Sequence, residues 1–354
     1  MSSFPIRPEP FRIEPIFSPR IWGARSLAPL FPDKTNLAEP LGEAWVTGLD
    51  CAVASGPLAG RSLGAAWHEM SADWRGSALG PERDFPLLAK FIFPKDKLSI
   101  QVHPDDAYAA VHEKAAGGRG KTEMWHVVSA EPGAKLLAGL KQSVTKERFL
   151  EGLATHALEE LFHTHYVHAG DTFFIPAGTP HTIGANMVVC EVQEYSDLTY
   201  RVYDYGRVDA HGKPRELHIE RALEVTHFGL SRGGKLPPLA LGPSHHDAKL
   251  LCACRYFAVE RFEFSERREF ASDAERFQLL IVLAGHGNLG WPAGAAHYNA
   301  GECWFLPAAI DLAALHPLQP TTVLRAYVPD IAVLSKRLRD AGASASGISQ
   351  SVFA

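Results

Sequence analysis

Gly170-Asp171-Thr172-Phe173-Phe174-Ile175-Pro176-Ala177-Gly178 and Gly301-Glu302-Cys303-Trp304-Phe305-Leu306-Pro307-Ala308-Ala309 are two copies of one pattern in a chain of 354 residues. In each copy a glycine and an acid make a turn, four mostly apolar residues follow, and Pro-Ala ends the run. A second apolar run lies upstream of each: Trp125-His126-Val127-Val128-Ser129-Ala130 in the first, Leu279-Leu280-Ile281-Val282-Leu283-Ala284 in the second. Short apolar runs bounded by Gly and Pro read as strands. The same strand pair at two places means one β unit built twice. Only the first copy carries a helical stretch between its parts, Lys146 to Phe162. There Phe149, Leu150, Leu153, Leu158, Leu161 and Phe162 keep helical spacing, with Thr145 as the cap.

A Gly-acid turn, an apolar strand and Pro-Ala-Gly resemble the cupin pattern, a small β-barrel of Greek-key strands. The expected fold is therefore mainly β: two cupin (jelly-roll-like β-barrel) domains with helical insertions. The first spans 1–235, with a helical insertion at about 144–165, and binds metal; the second, 236–354, is expected to be metal-free. Ser231 to Pro243, rich in Gly and Pro, reads as a linker. Further helices are expected within 62–78, from Asp105 to Ala115, from Glu216 to Val225 and from Ile331 to Asp340.

Composition removes several classes of function. The formal net charge is -5 with no long basic run, which excludes a nucleic-acid partner. No apolar stretch is long enough to span a bilayer, so no membrane partner is expected. Met1 to Pro15 is proline-rich and lacks the apolar core of a signal peptide. The five cysteines form no regular framework, and Cys252 and Cys254, at i and i+2, read as buried neighbours on one strand face. A cytoplasmic protein is expected, as a monomer or weak homodimer.

Three segments place a ligand beside a strand-like run. His103 follows Leu98-Ser99-Ile100-Gln101-Val102, Glu123 lies in Gly120-Lys121-Thr122-Glu123-Met124-Trp125, and His181 closes Phe174-Ile175-Pro176-Ala177-Gly178-Thr179-Pro180-His181. Two imidazoles and a carboxylate are the usual catalytic zinc set, with room left for water or substrate. Gln101, two residues before His103, points to the same side of a strand and is a weak neutral ligand. By the repeat, Glu123 aligns with Phe277 and His181 with Leu312, so one metal per chain is expected, in the first unit. Plainer readings compete. Pro104-Asp105-Asp106 also suits a surface histidine at 103, and Arg201 could pair with Asp197 or Asp204. Ser99 could be a core hydroxyl, and Trp22, Glu43 and Trp45 could be core or support. His163, His165 and His168 lack a carboxylate in pattern and read as solvated or structural.

The same segments resemble type I mannose-6-phosphate isomerases in their shorter bacterial form. The match runs in order through Pro19-Arg20-Ile21-Trp22-Gly23, Gly42-Glu43-Ala44-Trp45, Ser99 to Pro104, Lys121-Thr122-Glu123, Pro176 to His181, Ser196 to Asp204 and Pro214 to His218. The resemblance implies a zinc enzyme, one Zn2+ per chain, that interconverts mannose 6-phosphate and fructose 6-phosphate, small phosphorylated sugars. It assigns the metal to Gln101, His103, Glu123 and His181, and a catalytic role to Arg201. Longer members carry Asn-His-Lys-Pro-Glu around the glutamate. Here Gly120 replaces that histidine, so no ring-opening role can be carried over to it.

Aldose–ketose isomerisation moves a proton between C1 and C2 through a cis-enediol. Lys121, two residues from Glu123, and Asp197 are the candidate proton carriers. Lys121 would serve so if burial lowers its pKa. Ser99, Lys121 and Arg201 are candidates for binding the phosphate. A dioxygenase-like cupin fits worse, because position 105 is Asp and Glu123 is far downstream. A non-catalytic sugar-phosphate-binding regulator would have lost the metal ligands or Arg201.

Overall fold

Both quoted repeats form strands, Thr172–Ile175 and Cys303–Leu306, at matching places in two seven-stranded sheets. The computed structural model describes residues 7–80, 84–209, 211–229, 233–242 and 247–353. The first large sheet runs Gly234–Leu236, Thr172–Ile175, Glu123–Ala130, Met187–Glu194, Leu87–Ile92, Leu41–Thr47, Ile16–Ala24. A five-stranded sheet faces it, in the order Tyr200–Tyr203, Ile100–Val102, His181–Ile183, Lys135–Leu140, Phe162–Tyr166. The second large sheet runs Phe11–Ile13, Cys303–Leu306, Gln278–Ala284, Thr321–Tyr327, Ala258–Phe264, Ala248–Ala253, Leu239–Ala240. Its partner has four strands: Arg268–Ala271, Leu312–Pro317, His286–Trp291 and Gly294–Asn299.

Three apolar layers follow from strand alternation. Trp125, Val127, Phe173 and Ile175 meet Leu136, Ala138 and Ile183 inside the first pair of sheets. Leu280, Val282, Trp304 and Leu306 meet Phe270, Leu289 and Leu315 inside the second. The outer faces of the two large sheets pack back to back through Phe91, Met124 and Val192 on one side and Leu279, Ile281, Phe305 and Leu324 on the other. Both faces of these strands are buried, which is why they read as continuous apolar runs without alternation. The chain's start joins this arrangement. Phe11–Ile13 pairs with Cys303–Leu306, and Phe11 stacks on Phe305 with ring centroids 4.7 Å apart.

The fold is mainly β and cupin-like, with one correction. Among the described residues no ladder joins a large sheet to the small sheet facing it, so each unit is an open sandwich of two sheets and not a closed barrel. The repeat also slips by one residue. Glu123 lies opposite Ile175, and Ile175 matches Leu306, whose partner is Gln278. The counterpart of Glu123 is therefore Gln278, not Phe277. Phe277 points to the opposite face, where it stacks on Phe305 at 4.9 Å. A one-residue shift exchanges the faces of a strand, and runs buried on both faces give no alternation to fix the phase.

The 146–162 helix also divides. An α-helix, Lys146–Ala154, capped by Thr145, ends before His156 at φ 57°; a 3-10 turn, Leu158–Leu161, then leads into the strand Phe162–Tyr166. Within the 231–243 stretch, residues 231, 232 and 243 lie outside the described residues, while Gly234–Leu236 and Leu239–Ala240 are strands rather than free linker. Gly233 makes this possible: at φ +77° any Cβ there would lie 2.7 Å from the Phe174 carbonyl oxygen. The 62–78 region holds two short helices, Leu63–Glu69 and Ala72–Arg75, and the Ser-rich tail folds as Ala345–Ser351, capped by Ser344. All five cysteines are buried and unpaired by disulfides.

The second unit buries one carboxylate completely. Glu260 accepts from Arg325 Nε at 2.9 Å and from Tyr327 Oη at 2.9 Å, and it pairs with Arg337. Burial pushes its pKa up, but the two guanidinium groups outweigh that and hold it below the ordinary value. Glu260→Ala strands Arg325 without its counter-ion and is expected to cost about 3 kcal/mol in urea unfolding at pH 7. A folded-state pKa below the unfolded value of about 4.3 stabilises above that pH, and the contribution disappears as pH falls through the folded value. The gap between wild type and variant should therefore narrow on acidification.

Candidate active site

The small sheet of the first unit aligns three candidate residues in one row. Arg201 pairs with Gln101, and Gln101 pairs with His181, across the strands Tyr200–Tyr203, Ile100–Val102 and His181–Ile183. Glu123 enters from the facing sheet at the start of its strand, and His103 lies one residue past the end of Ile100–Val102. His103, Glu123 and His181 are all buried, and their ligand atoms lie within 4.8 Å of one another. Among the described residues this is the one group of three such ligands. His103 is thus not a surface histidine.

The ring nitrogens are already sorted. His103 Nδ1 donates to the Leu198 carbonyl and His181 Nδ1 to the Thr179 carbonyl, each at 2.8 Å, leaving both Nε2 lone pairs directed inward. Burial drives both imidazoles toward the neutral form: His103 falls well below its usual pKa, with help from the Lys121 charge, and His181 falls to about 4. His103 Nε2 lies 3.7 Å from Glu123 Oε2, and His181 Nε2 lies 3.4 Å from Oε1. His103 Nε2 and Glu123 Oε1 have no hydrogen-bond partner, although both are buried, and Glu123 Oε2 meets only the Lys121 ammonium. Buried polar atoms without partners are costly. A divalent cation bound by two neutral imidazoles and a carboxylate satisfies all three residues, so the donor set fits a metal. Gln101 Nε2 is 3.3 Å from His181 Nε2; with the amide turned over, its oxygen would face the same point.

Beside this group opens a cavity of about 470 Å³. Gln101 and Lys121 line its inner end; Ser99, Asp197 and Arg201 line its wall. Its charged lining comprises Arg20, Lys90, Lys121, Arg201 and Arg215 against Glu43, Glu191 and Asp197, a surplus of cations that suits an anion. Lys121 Nζ is 3.2 Å from Glu123 Oε2. Burial alone would lower its pKa, but Glu123, Glu191 and Asp197 outweigh burial and raise it. The condition of a pKa lowered by burial is therefore not met at Lys121. Asp197, more than half exposed, meets the buried Lys90 at 2.9 Å; the Lys90 and Lys121 charges hold its carboxyl low against the effect of burial.

Arg201 pairs with neither Asp197 nor Asp204, which lie outside ion-pair range among the described residues. Asp204 is taken by Arg207 at 2.6 Å and Arg215 at 2.5 Å. Arg201 donates from Nη1 to the Glu216 carbonyl at 2.9 Å, and its buried Nε has no partner. Ser99 Oγ sits 3.5 Å from Gln101 Oε1. Gly120 explains the missing histidine of longer forms: a Cβ there would lie 2.6 Å from the Asp105 carbonyl carbon.

Sequence reading missed Lys90, Glu191, Arg20 and Arg215. Lys90 and Glu191 are ladder partners, 3.9 Å apart, and Trp125 Nε1 donates to Glu191 at 3.0 Å. Burial, reinforced by Glu123, pushes the Glu191 carboxyl up to about 7. Their signal was available: each is a lone charge in an apolar strand, Leu87-Leu88-Ala89-Lys90-Phe91-Ile92 and Met187-Val188-Val189-Cys190-Glu191-Val192. A buried charge needs a partner. Trp22 and Glu43, read as core or support, also line the cavity, where Glu43 binds Arg20 at 2.6 Å and accepts from Trp45 Nε1 at 3.0 Å. His163 and His165 lie half-buried on an edge strand, and His168 is exposed beside Asp171.

Known proteins resemble this chain over most of its length. Residues 11–125 match the model of the phosphomannose isomerase type I catalytic domain. The mannose-6-phosphate isomerase of Streptococcus mutans is 34% identical over 306 residues, covering 85% of this chain and 93% of the relative. The probable mannose-6-phosphate isomerase GmuF of Bacillus subtilis is 33% identical over 304 residues, with 84% and 93% covered. The crystal structure of the Bacillus subtilis mannose 6-phosphate isomerase superposes with a TM-score of 0.81 at 29% identity, over 90% of this chain and 99% of that one. Likeness at this level across nearly the whole length of each relative means that the chain belongs to the type I phosphomannose isomerases and is an enzyme of that family.

Proposed function

We propose that the chain interconverts mannose 6-phosphate and fructose 6-phosphate in the cavity beside His103, Glu123 and His181. One observation carries this reading: three buried ligand residues, two of them with inward atoms that lack a hydrogen-bond partner, lie beside a cation-rich cavity lined by Arg201. His103, Glu123, His181 and Gln101 would hold one zinc ion. Bound there, zinc would supply Lewis acidity toward the oxygen that becomes negative in the enediolate. The side chains do the rest. Arg201, with unused donors, grips the substrate's negative phosphate, and Ser99 and Arg215 lie along the same wall. Asp197, beside Lys90 at 2.9 Å, is read as the group that takes the proton between C2 and C1, and Lys121, which keeps its charge, as the acid that gives one back. The unit from 236 to 354 is read as metal-free: Gln278 stands where Glu123 does, and Leu312 where His181 does.

An assay coupling fructose 6-phosphate formation to NADPH tests this. Steady turnover of mannose 6-phosphate supports it; sugar-phosphate binding without turnover would favour a regulator, and dioxygen uptake would favour an oxygenase. Arg201→Lys keeps the charge but loses the planar fork. Its kcat/KM should fall about 100-fold, the loss of roughly 3 kcal/mol. The melting temperature should move by less than about 2 °C, because Arg201 makes no ion pair to break. A large loss of stability with activity per folded molecule intact would reverse the assignment.

A further inference from the structure

The back-to-back unit touches the site through the turn between Ala248–Ala253 and Ala258–Phe264. Tyr256 Oη donates to Asp106 Oδ2 at 2.7 Å, and Arg255 reaches the same oxygen at 3.3 Å. The other oxygen, Asp106 Oδ1, accepts from the Gly120 N–H at 2.9 Å. The Glu194 carboxyl, near enough to Asp106 for each to shift the other's titration, accepts through Oε1 from the Thr122 N–H at 2.7 Å. The Glu194 N–H in turn donates to the Thr122 carbonyl at 3.2 Å, and the Lys121 N–H to the Pro104 carbonyl at 3.0 Å. Every amide from 120 to 122 is thus held. Lys121, whose Nζ reaches Glu123, sits between the two amides that the carboxyl pair holds.

Two carboxyl groups in contact share a proton. Burial and Asp106 push Glu194 up to about 8, so near neutrality it is the acid that donates while Asp106 remains the carboxylate. Each group in the chain from Tyr256 to Thr122 then has a partner, and closed polar networks of this kind fix geometry more firmly than packing alone. Placement within a fraction of an ångström matters to a group that transfers a proton.

We propose that Tyr256 is a positioning residue of the isomerase site: through Asp106 and Glu194 it fixes the Gly120–Thr122 backbone and so aims Lys121 into the cavity. The inference rests on the isomerase reading for its kinetic arm. In the zinc-loaded enzyme, Tyr256→Phe should lower kcat about 10-fold, with KM within twofold and one zinc per chain retained. Hydrogen exchange at the Gly120 and Thr122 amides, followed without substrate, should quicken about 10-fold. Asp106→Asn should reproduce both changes without altering Tyr256. Glu194→Gln imitates the protonated acid, donating to Asp106 and accepting from Thr122, and should keep both kcat and amide protection; Glu194→Leu should lose both. Unchanged exchange at residues 120 and 122 in Tyr256→Phe overturns the proposal. So does unchanged kcat, or an equal loss in Glu194→Gln and Glu194→Leu. Exchange needs no turnover, so an inactive wild type would sink the isomerase reading while the amides still decide whether Tyr256 holds the segment.

Discussion

Replacing His181 with alanine is expected to lower turnover about 1000-fold and to leave the protein with much less than one metal per chain. His181 offers an inward Nε2 whose ring is already fixed by the Thr179 carbonyl at 2.8 Å. Its loss removes one of three close donors and leaves Glu123, fully buried, with His103 as the one remaining imidazole beside it. Loss of metal Lewis acidity removes several kcal/mol of transition-state stabilisation; about 4 kcal/mol corresponds to the stated factor. Elemental analysis and the coupled assay on the same sample check it, because both quantities should fall together. Far-ultraviolet circular dichroism should be unchanged, since the strand His181–Ile183 is held by pairing on both sides. Full activity in His181→Ala with no bound metal would remove the residue from the site.

Lys121→Met should be as damaging to turnover and much less so to metal binding. The unbranched side chain is kept up to its last atom, and the ammonium 3.2 Å from Glu123 Oε2 disappears. If Lys121 moves the proton, the loss is about 100- to 1000-fold. Asp197→Asn gives the comparison. Asp197 is more exposed and is the nearer of the two carboxylates at Lys90, so its removal should cost about 10-fold and leave Lys90 with Glu191 at 3.9 Å. In deuterated water, wild-type enzyme should introduce deuterium at C1 of fructose 6-phosphate and C2 of mannose 6-phosphate. Lys121→Met should slow label uptake and isomerisation in step. Isomerisation with no label entering over many turnovers would mean a hydride shift and no role for either residue as a proton carrier.

The metal group was legible because its three residues stand at strand ends next to Pro and Gly, where the sequence changes character: His103 before Pro104, Glu123 after Gly120, His181 after Pro180. The doubling of one β unit was legible from the Gly170 and Gly301 repeats, whereas its form as an open sandwich in place of the expected barrel was not. The exact phase of the second copy was not. Leu279, Leu280, Ile281 and Val282 are all buried, so nothing in their hydrophobicity shows which face holds the counterpart of Glu123. Only the ladder to Cys303–Leu306 does. Lys90 and Glu191 were hidden for a related reason: each is one charge inside an apolar run, and their neutralising contact joins residues 101 apart in sequence. The Tyr256–Asp106 bond spans 150 residues and crosses between the packed sheets, beyond the reach of any local pattern. The helix after Thr145 was placed correctly at its start, where a side-chain cap marks it, and not at its end, where His156 takes a left-handed turn without a glycine.

On the function proposed above, one metal held by His103, Glu123 and His181 makes this chain an isomerase of mannose 6-phosphate. The most direct measurement is a zinc titration of chelator-treated protein, with fructose 6-phosphate formation read at each step. Activity should start near zero, rise linearly and break at one zinc per chain, while Glu123→Gln should show no rise over the same range. Full activity before any metal is added, or a break at two zinc ions per chain, would contradict the account.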